Sequence, residues 1–440
     1  MEFLDRLLGR QPSGERIFSE AMRFGRFSDA YRSEEQNEAF DRAVEAFKKG
    51  DFFTACRHFF DFLRHPGEDN VEYHQEGGCL TFTIYHGSRA IHGRVTSERF
   101  FARTRLATGE NYPPRLLRRM LEENFQLRYA RFALTPEGDL TMVFESPALD
   151  ASPYKLYPGL KELAVFSDKN DDLLLEEFPE LTPLDQAPRR PLPAHIQHAR
   201  LDFAISAIRR ALDRIERAEP DPARYPIGYS FLLLSTAYEI DYLAKPEGYL
   251  MERLEVVHRI AFQQNDSSAA QKNERIRQEF EKILERPRER LLAELYDVPA
   301  TFGITSPIDH ARLALAIESE LPQMNWYIEN GFEDLALAVP TYIASHSLFY
   351  YALPPPDRAL LHLLLHVIEN DFFVRIGLPS LLRNGLPDRR SIRNAVQYVR
   401  KQSQARYPRM QPDIRILDYS TLPNFAASFL RMIQHMKLDA

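Results

Sequence analysis

The spacing of the apolar residues changes twice along this 440-residue chain, and these changes limit the folds that it can adopt. Apolar residues recur at helical spacing between residues 38 and 64. Between residues 70 and 145 they alternate with polar residues, as in strands that bury one face. Beyond residue 193 the helical spacing returns. The pattern predicts a helical leader, a module that contains a β-sheet, and a second, helical domain.

Two antiparallel helices are predicted in the leader, on either side of a break at Gly50-Asp51. The small residues Ala43 and Ala55 would let the two helices approach each other closely. The pair resembles a single tetratricopeptide-type hairpin. Its apolar stripes comprise Phe40, Ala43, Val44 and Phe47 in the first helix and Phe52, Ala55, Phe59, Phe60 and Leu63 in the second.

Two β-hairpins are predicted in the second region. Leu80, Phe82 and Ile84 alternate with polar residues, and the chain then turns into a strand at 90–95. The second hairpin joins 127–134 to 140–145 through a turn that contains Pro136 and Gly138. One helix opens at Pro113-Pro114 between the hairpins, and another covers 155–168 after them. The predicted order is three strands, a helix, two strands and a helix, which is an α+β fold with an antiparallel sheet.

A proline-rich stretch at 181–193 is interpreted as a stiff linker. Nearly everything after it is predicted to be helical, with proline and glycine clusters as the breaks. Since these helices follow no fixed repeat, the region is interpreted as an irregular all-α domain. The predicted helices cover 195–218, 227–243, 249–262, 268–285, 308–319, 332–351, 357–374, 391–404 and 423–437.

Composition limits the classes of function. Thirty prolines against 18 glycines disfavour glycine-rich phosphate loops, and no nucleotide or nucleophile motif occurs, so no cofactor is expected. Two cysteines fit a reducing cytoplasm, and neither a signal peptide nor a membrane-spanning run of roughly 18 apolar residues is recognised. We therefore expect a cytoplasmic protein with three regions: a helical leader at 1–66, an α+β module at 67–185 and an all-α domain at 191–440.

The stretch from Asn70 to Leu181 contains the paired hairpins, the segment PPRLLRRMLEENFQL, the strand YARFAL with its PEGDL turn, and DASPYKLYPGLKELAVFSD. In these features it resembles the YbjN-like family, whose fold is that of the CesT-type chaperones of type III secretion systems. The resemblance implies a non-enzymatic binding protein, because the secretion chaperones are small acidic homodimers that hold an effector segment in extended form. Those chaperones consist of this fold alone, whereas here it lies between other regions, which argues against a role in secretion.

The net charge of the α+β module is consistent with binding of an extended partner segment. Residues 67–185 hold 13 basic and 20 acidic residues, a net charge of −7, while the two flanking regions are nearly neutral. An acidic surface favours a basic partner segment, although a solvated acidic face is the commoner reason for such a charge. The candidate partner-binding residues are Tyr154, Lys155, Tyr157 and Lys161, which lie near a helix start. The alternative is that both tyrosines simply cover the sheet.

A metal-dependent enzyme is the first rival hypothesis. His362, His366 and Glu369 fall on one polar stripe of a predicted helix that Asp357 would cap, and His346 or His310 would have to complete a ligand set. Leu363 stands where the zinc motif HExxH needs a glutamate. The stripe is therefore interpreted as the wet side of an amphipathic helix, and no metal is expected.

Nucleic-acid binding is the second rival hypothesis. Residues 383–409 carry eight basic residues against Asp388 alone, and Arg393, Gln397, Arg400 and Lys401 line the face of a helix opposite a buried stripe. Because the whole chain has a net charge of −7, it repels a polyanion at long range, and nucleic acid is an unlikely partner. The sequence thus predicts a non-enzymatic chaperone or scaffold that binds a protein or peptide, with a homodimer as an open alternative.

Overall fold

The computed structural model describes residues 17–18, 22–29, 32–109 and 112–438. The chain forms two compact units. The sheet unit comprises Phe27–Pro191 and Tyr296–Ile304, and the helical unit comprises Met1–Arg26, Leu192–Leu295 and Thr305–Ala440. These units differ from the three predicted regions, because the helix pair assigned to the leader buries its apolar stripe in the core of the sheet unit.

The main sheet of the sheet unit is antiparallel and has seven strands. They are β1 (Val71–Glu76), β2 (Cys79–His86), β3 (Arg89–Val95), β4 (Arg99–Thr108), β5 (Arg131–Leu134), β6 (Leu140–Pro147) and β7 (Thr182–Pro183). Their order is β1-β2-β3-β4-β6-β5, and β7 pairs with the end of β4. Two further short strands of this unit, β8 (Arg190–Pro191) and β9 (Tyr296–Asp297), pair with each other.

The alternation that predicted the first hairpin is confirmed, since Leu80, Phe82 and Ile84 of β2 are all buried. The predicted count of three strands before the first helix is wrong, because there are four. Strand β4 was missed although it lies between β3 and β6, inside the sheet. Its buried positions include Ala102 and Thr104, which are too small or too polar to stand out as an apolar alternation.

The described residues of the sheet unit form four α-helices: α1 (Glu34–Lys48), α2 (Phe52–Leu63), α3 (Pro114–Asn124) and α4 (Pro153–Glu177). The helix pair α1 and α2 is confirmed, and both Ala43 and Ala55 are buried. Helix α4 packs on the apolar face of the sheet, where Leu160 and Leu163 share a core with Phe100 of β4 and Phe144 of β6. The predicted α+β architecture is therefore present.

The proline-rich stretch at 181–193 is not a free linker. Its first part pairs with β4, and Asp185 accepts hydrogen bonds from the backbone N–H of Arg105 at 2.8 Å and from the guanidinium of the same residue. Prolines in this stretch sit at a sheet edge, where their missing N–H costs no ladder hydrogen bond. The pairing partners are remote in sequence, so proline content alone did not indicate them.

The helical unit contains α5 to α16, and the predicted positions of its long helices are confirmed within a few residues. One predicted helix is broken at Glu369 into α13 and α14, and two short helices, α9 and α11, were not predicted. No helix of the described ranges has the length and apolarity needed to cross a membrane. The helices are α5 (Ala194–Arg217), α6 (Pro226–Glu239), α7 (Gly248–Phe262), α8 (Ala269–Glu285), α9 (Arg288–Ala293), α10 (His310–Glu320), α11 (Met324–Glu329), α12 (Glu333–Tyr350), α13 (Pro355–Ile368), α14 (Asn370–Arg375), α15 (Arg389–Ser403) and α16 (Leu422–Gln434).

Candidate functional site

The first three turns of α4 carry all four of the predicted partner-binding residues. Tyr154 exposes 67% of its surface, whereas Tyr157 is half-buried. The two lysines are engaged within the sheet unit, since Lys155 forms an ion pair with Asp150 and the Nζ of Lys161 lies 3.1 Å from the Oδ2 of Asp29. The structure thus presents one of the four side chains freely to a partner and holds the others in intramolecular contacts.

Both tyrosines line a groove in the surface of the sheet unit, which we call the aromatic groove. It has a volume of about 290 Å³ and is lined by Asn37, Phe40 and Asp41 of α1, Phe62 of α2, and Tyr154, Tyr157 and Pro158 of α4. Lys155 and Lys161 are not among its lining residues. The predicted set is therefore split, with the tyrosines at the groove and the lysines outside it.

The rings of the aromatic groove contact one another in sequence. The centroid of Phe40 lies 5.3 Å from that of Tyr154 and 4.9 Å from that of Phe62, and both pairs meet edge to face. The ring of Tyr157 lies 5.8 Å from that of Phe62. Such edge-to-face pairs orient aromatic rings as well as burying them. The groove therefore has a preformed aromatic wall, of which Tyr154 is the exposed end.

Charged groups fix the inner end of this wall. The guanidinium of Arg32 lies 4.2 Å from the ring centroid of Phe62. Burial, followed by the charge of Asp29, raises the pKa of the Tyr157 hydroxyl. Asp29 in turn accepts a hydrogen bond from the backbone N–H of Gly303 at 2.9 Å. Tyr157 is thus held by its surroundings and supports the groove rather than reaching out from it.

The outer rim of the groove is polar. Asn37 and Asp41 are both exposed on α1, and Asp41 forms no ion pair with any residue that the structure describes. Pro158 has no N–H to donate to the carbonyl of Tyr154, four residues earlier, so that carbonyl is not committed to the regular helical hydrogen bond. The rim therefore offers a carboxylate and an amide beside the rings.

Sequence reasoning missed the contributions of α1 and α2. Phe40 was assigned to the apolar stripe of its helix and is only half-buried, since its ring faces Tyr154. Nothing in the local pattern pairs residues 40 and 154, which lie more than 100 positions apart. The local indication of this groove was the acidic Asp41 beside Phe40 on the apolar stripe of the helix. That combination occurs on many protein surfaces.

The paired histidines do not form a wet face. His362 exposes 8% of its surface and His366 none, because α13 is surrounded by other helices of its unit. The Nδ1 of His362 lies 3.1 Å from the hydroxyl of Tyr242, and the Nε2 of His366 lies 3.0 Å from the carbonyl oxygen of Pro379. Burial lowers the pKa of His362 to about 3 and that of His366 to about 4.

The other members of the proposed metal set lie in separate environments. Asp357 does not cap α13; its carboxylate is buried and accepts a hydrogen bond from His310 at 2.9 Å. Glu369 lies at the break between α13 and α14, which turns it away from the regular helical position assumed in the prediction. Across the described ranges, no group of three or more His, Cys, Asp or Glu side chains is arranged to hold a metal ion.

The basic segment is a surface, as the sequence indicated. Ile392, Val396 and Val399 of α15 are buried, and Arg393, Arg400 and Lys401 are exposed on the opposite face. Arg389 stacks on Tyr419 at 4.9 Å. The exposed side of α15 is therefore basic, and its charge suits a polyanion and an acidic protein equally.

The chain was also compared with known proteins. It matches no protein-family model, no curated protein and no solved structure. The function is therefore argued from the geometry of the chain itself.

Proposed function

We propose that the sheet unit is a non-enzymatic interaction module that binds an extended segment of a partner protein in the aromatic groove. The single observation that carries the proposal is the run of contacting rings from Tyr157 through Phe62 and Phe40 to the exposed Tyr154. Grooves lined by aromatic rings are a recurrent means of binding extended, proline-containing segments. The YbjN-like resemblance points in the same direction, since it implies a protein that binds extended segments.

The chemistry of the groove selects its occupant. Flat rings contact the faces of proline rings, and an extended proline-rich segment loses little conformational entropy on binding. Asp41 at the rim has no cationic partner among the described residues and suits a lysine or arginine of the segment. The acceptors of the rim suit peptide N–H groups. We therefore infer a proline-containing segment with an adjacent basic residue.

The size of the groove is consistent with this occupant. About 290 Å³ lies just below the range for small-molecule pockets, roughly 300 to 1,000 Å³, and suits a few peptide side chains. A contact of this size supports a weak or transient complex unless neighbouring surface contributes. The affinity expected for a short peptide is thus micromolar to millimolar.

The test measures binding of three fluorescent peptides to the full chain by anisotropy. The peptides carry nine prolines preceded by arginine or by glutamate, or an arginine followed by a glycine-serine chain of equal length. We expect the Arg-Pro peptide to bind most tightly. Tyr154→Ala should weaken it at least about fivefold, because one exposed ring of this kind contributes about 1 kcal/mol or more at an interface.

Two further variants separate the rings from the charge. Asp41→Asn should reduce binding of the Arg-Pro peptide and abolish its advantage over the Glu-Pro peptide. Leu149→Ala is the matched control, because Leu149 is 97% exposed in the same unit and lies outside the groove. Equal binding by wild type and Tyr154→Ala, or equal binding of all three peptides, would refute the proposal.

A further inference from the structure

A cavity in the helical unit holds a pair of buried carboxyl groups that the proposed function does not use. It has a volume of about 320 Å³ and lies among α5, α6, α12 and the break between α13 and α14. Glu239, the last residue of α6, and Glu369 both line it. The volume falls within the range of roughly 300 to 1,000 Å³ that is typical of small-molecule sites.

Glu239 forms no ion pair with any residue in the described part of the chain. It exposes 5% of its surface, and its Oε1 is buried without a hydrogen-bond partner among the residues that the structure describes. Buried polar atoms are nearly always hydrogen-bonded, so an unpaired one on a cavity wall indicates that something else occupies the position beside it. Burial, followed by the neighbouring Glu369, raises the pKa of Glu239.

Two of the other carboxylates of the cavity, Glu369 and Asp334, have cationic partners. The Nη2 of Arg210 lies 3.4 Å from the Oε1 of Glu369, and Arg214 forms an ion pair with Asp334. Arg210 and Asp371 act in opposite directions on Glu369, whose pKa is raised chiefly by burial. The charged residues of the cavity walls are Arg210, Asp213, Arg214 and Arg217 of α5, Glu239 of α6, Asp334 of α12, and Glu369.

Glu239 is the buried carboxyl group of this set without an ion-pair partner among the described residues, whereas Asp213 is exposed to solvent. Three arginines face four carboxyl groups, so the walls carry a net charge of −1 when every group is ionised. A proton on Glu239 removes that charge in the absence of a ligand. A monovalent cation would remove it as well and would also satisfy the buried oxygen.

The rest of the lining is aliphatic. Leu232, Leu337, Ala338 and Ile368 contribute apolar surface, and the hydroxyls of Thr236 and Thr341 are bonded to carbonyls of their own helices. Such walls suit an alkyl chain rather than a sugar or another polyhydroxylated molecule, which needs several hydrogen-bonding partners.

We infer that this cavity binds a small aliphatic amine in its ammonium form, with the cationic group beside Glu239 and the alkyl chain against the aliphatic wall. The binding step is an exchange of cations. The ammonium ion enters, the carboxyl group of Glu239 loses its proton to solvent, and an ion pair forms, so that one proton is released for each amine bound. No covalent bond is made or broken.

The experiment uses n-butylamine with the full chain, and n-butanol as the neutral probe of equal size. Calorimetry in two buffers of different ionisation enthalpy should report the release of nearly one proton per butylamine, and Kd should fall with rising pH by up to about tenfold per unit. Butanol should bind more weakly and release no proton. Equal binding of the two probes, or butylamine binding without proton release, would overturn the inference.

Three variants assign the effect to this cavity. Glu239→Gln should abolish both the proton release and the preference for butylamine over butanol, whereas Glu329→Gln, an exposed change of the same charge in the same unit, should preserve both. Ala338→Leu fills the cavity without changing its charge and should block both probes. Retention of proton-linked binding by Glu239→Gln refutes the site. If that variant does not fold, Ala338→Leu and the wild-type proton count decide the matter.

Discussion

The side-chain amide of Asn124 bonds to both backbone groups of Phe132, accepting its N–H at 2.7 Å and donating to its carbonyl oxygen at 3.2 Å. Phe132 lies in β5, the last strand at one side of the sheet. An open strand edge is a template for pairing with another chain, and folded proteins commonly block such edges. Asn124 does so here by taking the place of a neighbouring strand.

Asn124→Ala should therefore destabilise the sheet unit and promote self-association. The change leaves two backbone groups without their partners, at a cost of about 1–3 kcal/mol. Urea denaturation gives the free energy of unfolding, and sedimentation velocity gives the association state. Gln75→Ala, an exposed change on β1 at the opposite edge, is the control. A variant as stable and as monodisperse as Gln75→Ala would contradict this role for Asn124.

The approach of α4 to the sheet depends on Gly159. A Cβ atom at this position would lie 2.3 Å from the Cζ of Phe144, closer than any real contact. Gly159→Ala should destabilise the protein by about 1–3 kcal/mol through overpacking, although alanine is the better helix former by about 1 kcal/mol.

A second substitution tests that explanation. Phe144→Leu costs stability alone, but combined with Gly159→Ala it should cost less than the sum of the two single changes, because the smaller side chain makes room for the methyl group. Thermal or urea unfolding of the four proteins gives the coupling energy. Additive effects would show that the close approach is not the cause.

Arg26 neutralises a carboxylate in the helical unit. Its guanidinium donates to both oxygens of Asp241, at 2.8 and 3.1 Å, and to Glu255 at 2.9 Å. Asp241 exposes only 3% of its surface. Arg26→Met should therefore cost about 3–5 kcal/mol, because it leaves a buried charge without its partner.

Removal of the unpaired charge of Asp241 should recover much of the stability that Arg26→Met loses. We expect Arg26→Met combined with Asp241→Asn to be more stable than Arg26→Met alone in urea denaturation. The matched control is Arg42→Met, which breaks an exposed pair with Glu38 and should cost less than about 1 kcal/mol. A loss for Arg26→Met no larger than that of this control would contradict the argument.

The buried histidines make stability depend on pH. Burial lowers the pKa of His366 to about 4, whereas an exposed histidine in the unfolded chain titrates near about 6.5. Between these values the unfolded chain binds more protons than the folded one, so the free energy of unfolding falls as the pH decreases from about 6.5 towards 4. The largest slope that one such histidine contributes is about 1.4 kcal/mol per pH unit.

His366→Gln should therefore reduce the slope of the unfolding free energy between about pH 6.5 and pH 4 by up to about 1.4 kcal/mol per pH unit. This expectation does not depend on the effect of the substitution on stability at pH 7. Urea denaturation at intervals between pH 7 and pH 4.5 provides the slope. His195→Gln removes an exposed histidine and should leave the slope unchanged. The same slope in His366→Gln as in wild type would show that the histidine is not held neutral.

The helices were the most predictable part of the fold. The predicted helix at 195–218 is observed at Ala194–Arg217, and the one at 391–404 at Arg389–Ser403. Helical spacing and the breakers at helix ends are local properties, so they can be recognised without knowledge of the partners. Strand β4 was missed because the burial of its small and polar residues depends on the strands on either side.

The candidate sites were predictable only in part. Tyr154 and Tyr157 were selected as tyrosines that stand near lysines at a helix start, and both line the aromatic groove. Phe40 and Phe62, which complete the ring series, could not be selected because residues far apart in sequence meet there only after folding. Glu239 had a local signal that was overlooked, since it is an isolated acid that closes a long apolar helix.

By itself, the sequence determined where helices and strands form and which of their faces are apolar, because those properties follow from periodicity within about ten residues. Only the tertiary structure decided what each polar residue does. His362 and His366 lie on the polar stripe that the sequence predicts, yet other helices cover that stripe and exclude water from it. Whether a side chain faces solvent, a cavity or a core depends on which remote elements pack over it, and local spacing carries no information about that.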